Sequence, residues 1–182
     1  MRATRTLLAA MVLGTAIGAS QANAQCSGSA GTCNTTNTAS VTVGALVKLD
    51  MSSVTTALTS PAVTDVESGL SLDNVGPTFT IKANRSWNLK VKSQNPTNFT
   101  YVGSDPGVTG VKPIGDLSWA TTSGGSYSAI TASDVTFAFG TSATNSTPAA
   151  AFFRTSWAGG FSAASNAPGT YSLPIIFTLT AP

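Results

Sequence analysis

The stretch Ser86-Trp87-Asn88-Leu89-Lys90-Val91-Lys92-Ser93 decides how this chain is read. Trp87, Leu89 and Val91 fall on one side of an extended backbone, and Asn88, Lys90 and Lys92 on the other. Side chains alternate with period two along a strand, so this pattern describes one face turned to a core and one turned to water. Half-wet strands of this kind belong to antiparallel sheets.

The same alternation continues on both sides. Val41, Val43, Ala45, Val47 and Leu49 alternate with Thr42, Gly44, Leu46 and Lys48, and Phe79 and Ile81 alternate with Thr80 and Lys82. Further candidate strands are Phe99–Val102, Asp116–Ala120, Val135–Phe139 and Ala151–Ser156. At the end of the chain, Tyr171, Leu173, Ile175, Phe177 and Leu179 share one face of a strand over Thr170–Thr180. Pro174 interrupts its other face and demands an edge position or a bulge, because proline cannot donate to a ladder. Gly76-Pro77, Asn95-Pro96, Asp105-Pro106-Gly107 and Ser123-Gly124-Gly125 separate these runs as turns. No helix of three turns follows the N-terminal segment. The prediction is an all-β fold: a single antiparallel β-sandwich, Ig-like or Greek-key, of about eight strands. Trp87 and Trp119 lie on apolar faces and are expected in its core.

The N-terminus reads differently. Arg2 and Arg5 precede an apolar run from Leu7 to Ile17, and Ala22-Asn23-Ala24 closes the segment. Charged, apolar and small-residue regions in that order describe a secretory signal peptide with an A-x-A cleavage site. The apolar run is too short to span a membrane. Lipid attachment at Cys26 would call for a small residue before it, and Gln25 stands there. The predicted organisation is a leader over 1–24, a flexible arm over 25–39 and the sandwich over 40–182. The expected location is secreted, extracellular or at the cell surface, with the periplasm a compartment in transit. An oxidising compartment makes a disulfide between Cys26 and Cys33, the two cysteines of the chain, the default pairing.

Removing the leader changes the charge. The whole chain has nine Lys and Arg against seven Asp and Glu, and losing Arg2 and Arg5 leaves seven against seven. A neutral, charge-poor surface offers no footprint for nucleic acid or for anionic lipid. Near-zero net charge favours association instead.

Chemistry is limited by the inventory. The chain has no histidine, which removes Ser–His–Asp and Cys–His catalysis and the common zinc sites. Glu67 is its one glutamate, and no spacing suggests the paired carboxylates of a glycosidase. An enzyme is not expected, and no cofactor is suggested. Asp65, Glu67 and Asp73 form the one acidic cluster. Its carboxylates are a candidate calcium loop, with a solvated loop as the plainer reading. Trp157, before Ala-Gly-Gly, and Tyr127, after Ser-Gly-Gly-Ser, are the aromatic residues placed to contact a ligand.

Two segments carry a resemblance. Gly169-Thr170-Tyr171-Ser172-Leu173-Pro174 and its apolar continuation to Thr180 look like the closing strand of small secreted bacterial β-sandwich proteins of the spore-coat-U-like and pilin-like kind. Lys82 to Leu89 resembles a central strand of such proteins. The resemblance implies a β-sandwich and a surface or extracellular role, and it assigns no functional residue. The leading expectation is therefore a structural or adhesive protein acting through contact with itself or with other surface proteins, as a coat or filament subunit. The alternative is a carbohydrate-binding module that meets glycans through Tyr127 and Trp157.

Overall fold

The computed structural model describes residues 35–69 and 71–182. The expected leader and the Cys26–Cys33 pair lie outside the described residues. Contacts divide the chain into a unit ending at Thr42 and a unit Val43–Pro182. Residues 35–42 carry neither helix nor strand and are exposed.

The second unit is mostly strand. Its elements are β1 (Val47–Met51), α1 (Val63–Ser68), β2 (Ser71–Ala83), β3 (Trp87–Ser93), β4 (Thr100–Gly103), β5 (Leu117–Ala120), β6 (Ser128–Ala129), β7 (Val135–Gly140), β8 (Thr144–Ser156), β9 (Gly169–Ser172) and β10 (Ile175–Thr180). A five-stranded sheet runs β1-β2-β8-β5-β6, a three-stranded sheet runs β10-β3-β7, and β4 pairs with β9. Every pairing is antiparallel.

Strand β3 behaves as its alternation requires. Trp87, Leu89 and Val91 are buried and the residues between them are half-exposed. They join Phe79 and Ile81 of β2, Leu117 and Trp119 of β5, Phe137 of β7, and Ala151 and Phe153 of β8 in one buried cluster. Phe177 and Leu179 of β10 pack against it. The apolar faces of the five- and three-stranded sheets therefore share a single core. Trp87 and Trp119 are both part of it, as expected. At the end of β7, Gly140 lies directly opposite Trp87, and any Cβ there would collide with the indole ring. Glycine here lets the backbone of the neighbouring strand pass close to a buried ring.

Four boundaries differ from the sequence pattern, each for a physical reason. The strand expected from Val41 begins only at Val47. Its partner β2 ends at Ala83, opposite Val47, so residues upstream have no ladder to join. The Asn84 side chain takes over, accepting from the Leu46 amide at 2.9 Å and donating to the Gly44 carbonyl at 2.8 Å. The strand expected over Thr170–Thr180 is two strands. Leu173-Pro174 breaks it, β9 pairs with β4 and β10 with β3. Third, β2 and β8 are 13 residues each, far longer than their alternating parts. Their register shifts between Val75 and Thr78, so Gly76-Pro77 is a bulge inside a strand where a turn was expected. Finally, Val63–Ser68 forms a six-residue helix. It stops at Gly69, whose φ of 63° is a left-handed conformation that favours glycine.

Candidate functional site

Inward-facing residues of β8 alternate as Ala151, Phe153 and Thr155, all buried. The first two belong to the core, whereas Thr155 brings a hydroxyl to an apolar face. The chain then leaves the sheet through Ser156 and Trp157. Trp157 lines a cavity of about 860 Å³ that opens between the segment 53–61 and the segment 166–177.

Each side of the cavity is pinned by named bonds. On the first, the buried Asn74 carboxamide oxygen of β2 accepts from the Thr59 amide at 2.7 Å and from the Thr59 hydroxyl at 2.8 Å. On the second, Asn166 donates to the Gly160 carbonyl at 2.8 Å. The Tyr171 hydroxyl donates to the Ala167 carbonyl at 2.9 Å, and that of Tyr101 to the Pro168 carbonyl at 2.6 Å. The two tyrosine rings pack with centroids 5.0 Å apart. Burial pushes the Tyr171 phenol above its ordinary range, with the neighbouring Tyr101 adding to the shift. Phe99, Leu117, Phe153 and Phe177 supply an apolar lining.

Lys112 is the unexpected member of this site. Its side chain is 1% exposed and lines the cavity. The ammonium donates to Asp116 Oδ2 at 3.0 Å and to the Ser156 carbonyl at 2.6 Å. It also sits 4.2 Å from the centre of the Trp157 ring, a cation–π contact. Burial pulls its pKa below the ordinary lysine range, while Asp116 opposes the shift. Two buried polar atoms of the lining have no hydrogen-bond partner among the described residues: Thr155 Oγ1 and Trp157 Nε1. Sequence reasoning missed Lys112, because it lies between the expected strands Phe99–Val102 and Asp116–Ala120 in a stretch with no alternation. Thr155 was detectable, as a polar residue in phase with Ala151 and Phe153.

The residues singled out from the sequence separate into different places. Trp157 lines the cavity, but Lys112 covers one of its faces. Tyr127 stands elsewhere, beside β2 and β8. The Arg154 guanidinium lies 3.9 Å from its ring centre and forms a two-point ion pair with Asp73, one contact through Nε and one at 3.0 Å. The Tyr127 hydroxyl is buried without a hydrogen bond of good geometry among the described residues. Burial, and then the Asp73 charge, push its phenol upward. Glycan stacking on either ring would have to use the face opposite the cation. Of the acidic cluster, Asp65 accepts from the Ala62 amide at 2.7 Å at the start of α1, Glu67 lies exposed on α1, and Asp73 is committed to Arg154. Among the described residues, no group of three or more His, Cys, Asp or Glu side chains is placed to hold a metal ion.

The Asp73–Arg154 pair predicts a pH effect. Hydrogen bonding to Arg154 holds the Asp73 carboxyl below its ordinary 3.8. A depressed carboxyl stabilises the fold above its unfolded pKa, and that stability is lost as pH falls through the folded value. The pair is solvent-exposed, so the effect is small and weakens with salt. Asp73→Asn is expected to flatten the decline of the urea midpoint below about pH 4. Equal slopes for variant and parent across that window would contradict this.

Comparison of the chain with models of protein families, with curated proteins and with solved structures finds no match. No helix among the described residues is long and apolar enough to cross a membrane.

Proposed function

We propose that this chain is an exported surface protein with a structural or adhesive role, and that it associates with copies of itself through its N-terminal arm, which extends through residue 46 to the start of β1. The five- and three-stranded sheets are read as the two layers of a β-sandwich, supported by their shared core. The observation that carries the functional reading is the state of the arm. Val41 is 88% exposed, Val43 68% and Leu46 61%, within a segment that has strand-like alternation and no strand. Apolar residues displayed in this way are suited to adding a strand to a neighbour's sheet, where main-chain bonds give affinity and alternate side chains give specificity. The outer strands β7 and β10 each pair on one side within the described residues, and unpaired sheet edges are templates for such addition. The balanced charge of the chain without its leader removes the repulsion that would keep copies apart. The segments resembling spore-coat-U-like and pilin-like proteins point the same way.

Sedimentation velocity and electron microscopy test this reading. The chain beginning at Gln25 is expected to form oligomers that grow with concentration. A version that also lacks residues 25–46, all ahead of β1, is expected to stay monomeric with an unchanged circular dichroism spectrum. A longer chain that remains monomeric and dispersed at its solubility limit would sink the proposal.

A further inference from the structure

The cavity between segments 53–61 and 166–177 combines apolar side chains with a single charged group. Its volume of about 860 Å³ is in the range of small-molecule pockets, which combine an apolar lining with a few convergent polar groups. Its apolar surface comes from Phe99, Leu117, Phe153 and Phe177. Its most buried polar residues are Lys112 and Thr155, with Trp157 beside them. Thr155 is 2% exposed, and its hydroxyl and the Trp157 Nε1 have no partner among the described residues. A buried polar atom left unpaired costs free energy, so such atoms in a native domain mark a place where a partner belongs.

The donors identify the partner. An indole N–H can only donate and a hydroxyl can donate, whereas the Lys112 ammonium already has Asp116 and the Ser156 carbonyl as acceptors. What is missing is an acceptor. Among the described residues that line it, Lys112 alone carries a charge, and none is Asp or Glu. Asp116, which pairs with Lys112, lies outside the lining. A peptide segment would bring about as many N–H donors as acceptors, which this end of the cavity cannot satisfy. We propose that the cavity binds an aliphatic carboxylate of the fatty-acid class, with its carboxylate at Thr155, Trp157 and Lys112 and its chain along Phe99, Leu117, Phe153 and Phe177. The site is independent of the assembly reading, since it uses no residue of the arm.

Dodecanoate, kept below its micelle concentration, is the probe. Titration of the delipidated chain beginning at Gln25, followed by calorimetry and by tryptophan fluorescence, is expected to show saturable binding to one site. Thr155→Val keeps the shape and removes the hydroxyl. It is expected to leave the ligand-free melting temperature unchanged or slightly raised, because an unpaired buried hydroxyl is lost, while weakening dodecanoate about tenfold. Trp157→Phe is expected to weaken binding to a similar degree. Dodecyltrimethylammonium, with the same tail and a cationic head, is expected not to compete. Three results would each overturn the proposal: no saturable binding, parental affinity in both variants, or equal affinity for the cationic analogue. Displacement of dodecanoate by a peptide of residues 35–46 would overturn it in favour of strand capture. Loss of oligomers with dodecanoate binding intact would count against the assembly reading alone.

Discussion

Replacing Phe137 with alanine is expected to lower stability by about 4 kcal/mol, the middle of the range for a buried Phe→Ala change. Phe137 is 5% exposed and holds the two larger sheets together. From β7 of the three-stranded sheet its ring reaches Phe79 of β2 at 5.7 Å and Trp119 of β5 at 5.1 Å. It also meets Phe177 of β10 edge-on at 5.4 Å. Removing it leaves a cavity between layers and takes one aromatic partner from each of three rings, and aromatic pairs add about 0.5–1.5 kcal/mol each beyond their area. The control is Phe139→Ala on the same strand, where the ring is largely exposed. Surface changes of that kind stay within about 0.5 kcal/mol. Urea midpoints at constant slope measure both. A loss below about 2 kcal/mol for Phe137→Ala would mean that the sheets do not depend on this ring.

The second large effect lies at the buried ammonium. Asp116→Ala is expected to cost about 3 kcal/mol, the low end for removing one partner of a buried ion pair, because Lys112 is then left charged and under-compensated. Lys112→Met is expected to cost less, under about 2 kcal/mol, since it removes the charge itself and fills a similar volume. Asp116, at 28% exposure, can take water in its place, and the Ser156 carbonyl loses one donor. The order of the two variants is the test: a greater loss in Lys112→Met would show that the ammonium stabilises the fold on balance. The pH dependence has a definite sign. Burial lowers the Lys112 pKa below its ordinary 10.5, so the unfolded chain holds more protons in the window beneath that value. Stability therefore rises with pH across the window as the cost of burying the charge is relieved. Asp116→Ala is expected to steepen that rise. The reading is taken below pH 10.0, the ordinary phenol value above which Tyr127 and Tyr171 sit, since ionising them would reverse the trend.

How much of this the sequence disclosed depends on whether local pattern and tertiary pairing agree. Strand β3 was legible to the residue, because Trp87, Leu89 and Val91 alternate without interruption and their strand is flanked on both sides. On β7 the same rule places Phe137 and Phe139 on one face, yet only Phe137 is buried. A bulge opposite Leu89 and Lys90 pairs Leu89 with Ala138 and Asn88 with Phe139, which turns Phe139 outward. The first halves of β2 and β8 were hidden for a related reason. Thr144-Asn145-Ser146-Thr147-Pro148 has the composition of a loop, and it becomes strand only because β2 supplies a ladder. Of the cavity, Trp157 was singled out from its neighbourhood. Lys112 was not, because its burial depends on Asp116, Ser156 and Trp157 meeting in space, and no spacing along the chain encodes that.

The pairing of β2 with β8 also has a consequence in time. Arg154 bonds to Asp73 across 81 residues, and Thr180 to the backbone of Asn88 across 92. Central strand β3 is thus flanked on one side by the last strand of the chain. Contacts this distant must close large loops before they return any stabilisation, and such topologies fold slowly. A ribosome delivers β2 and β3 long before β8 and β10. Until β8 and β10 emerge, β2 and β3 each lack the strand that flanks them on one side, and the chain spends that interval open to helpers or to misassociation.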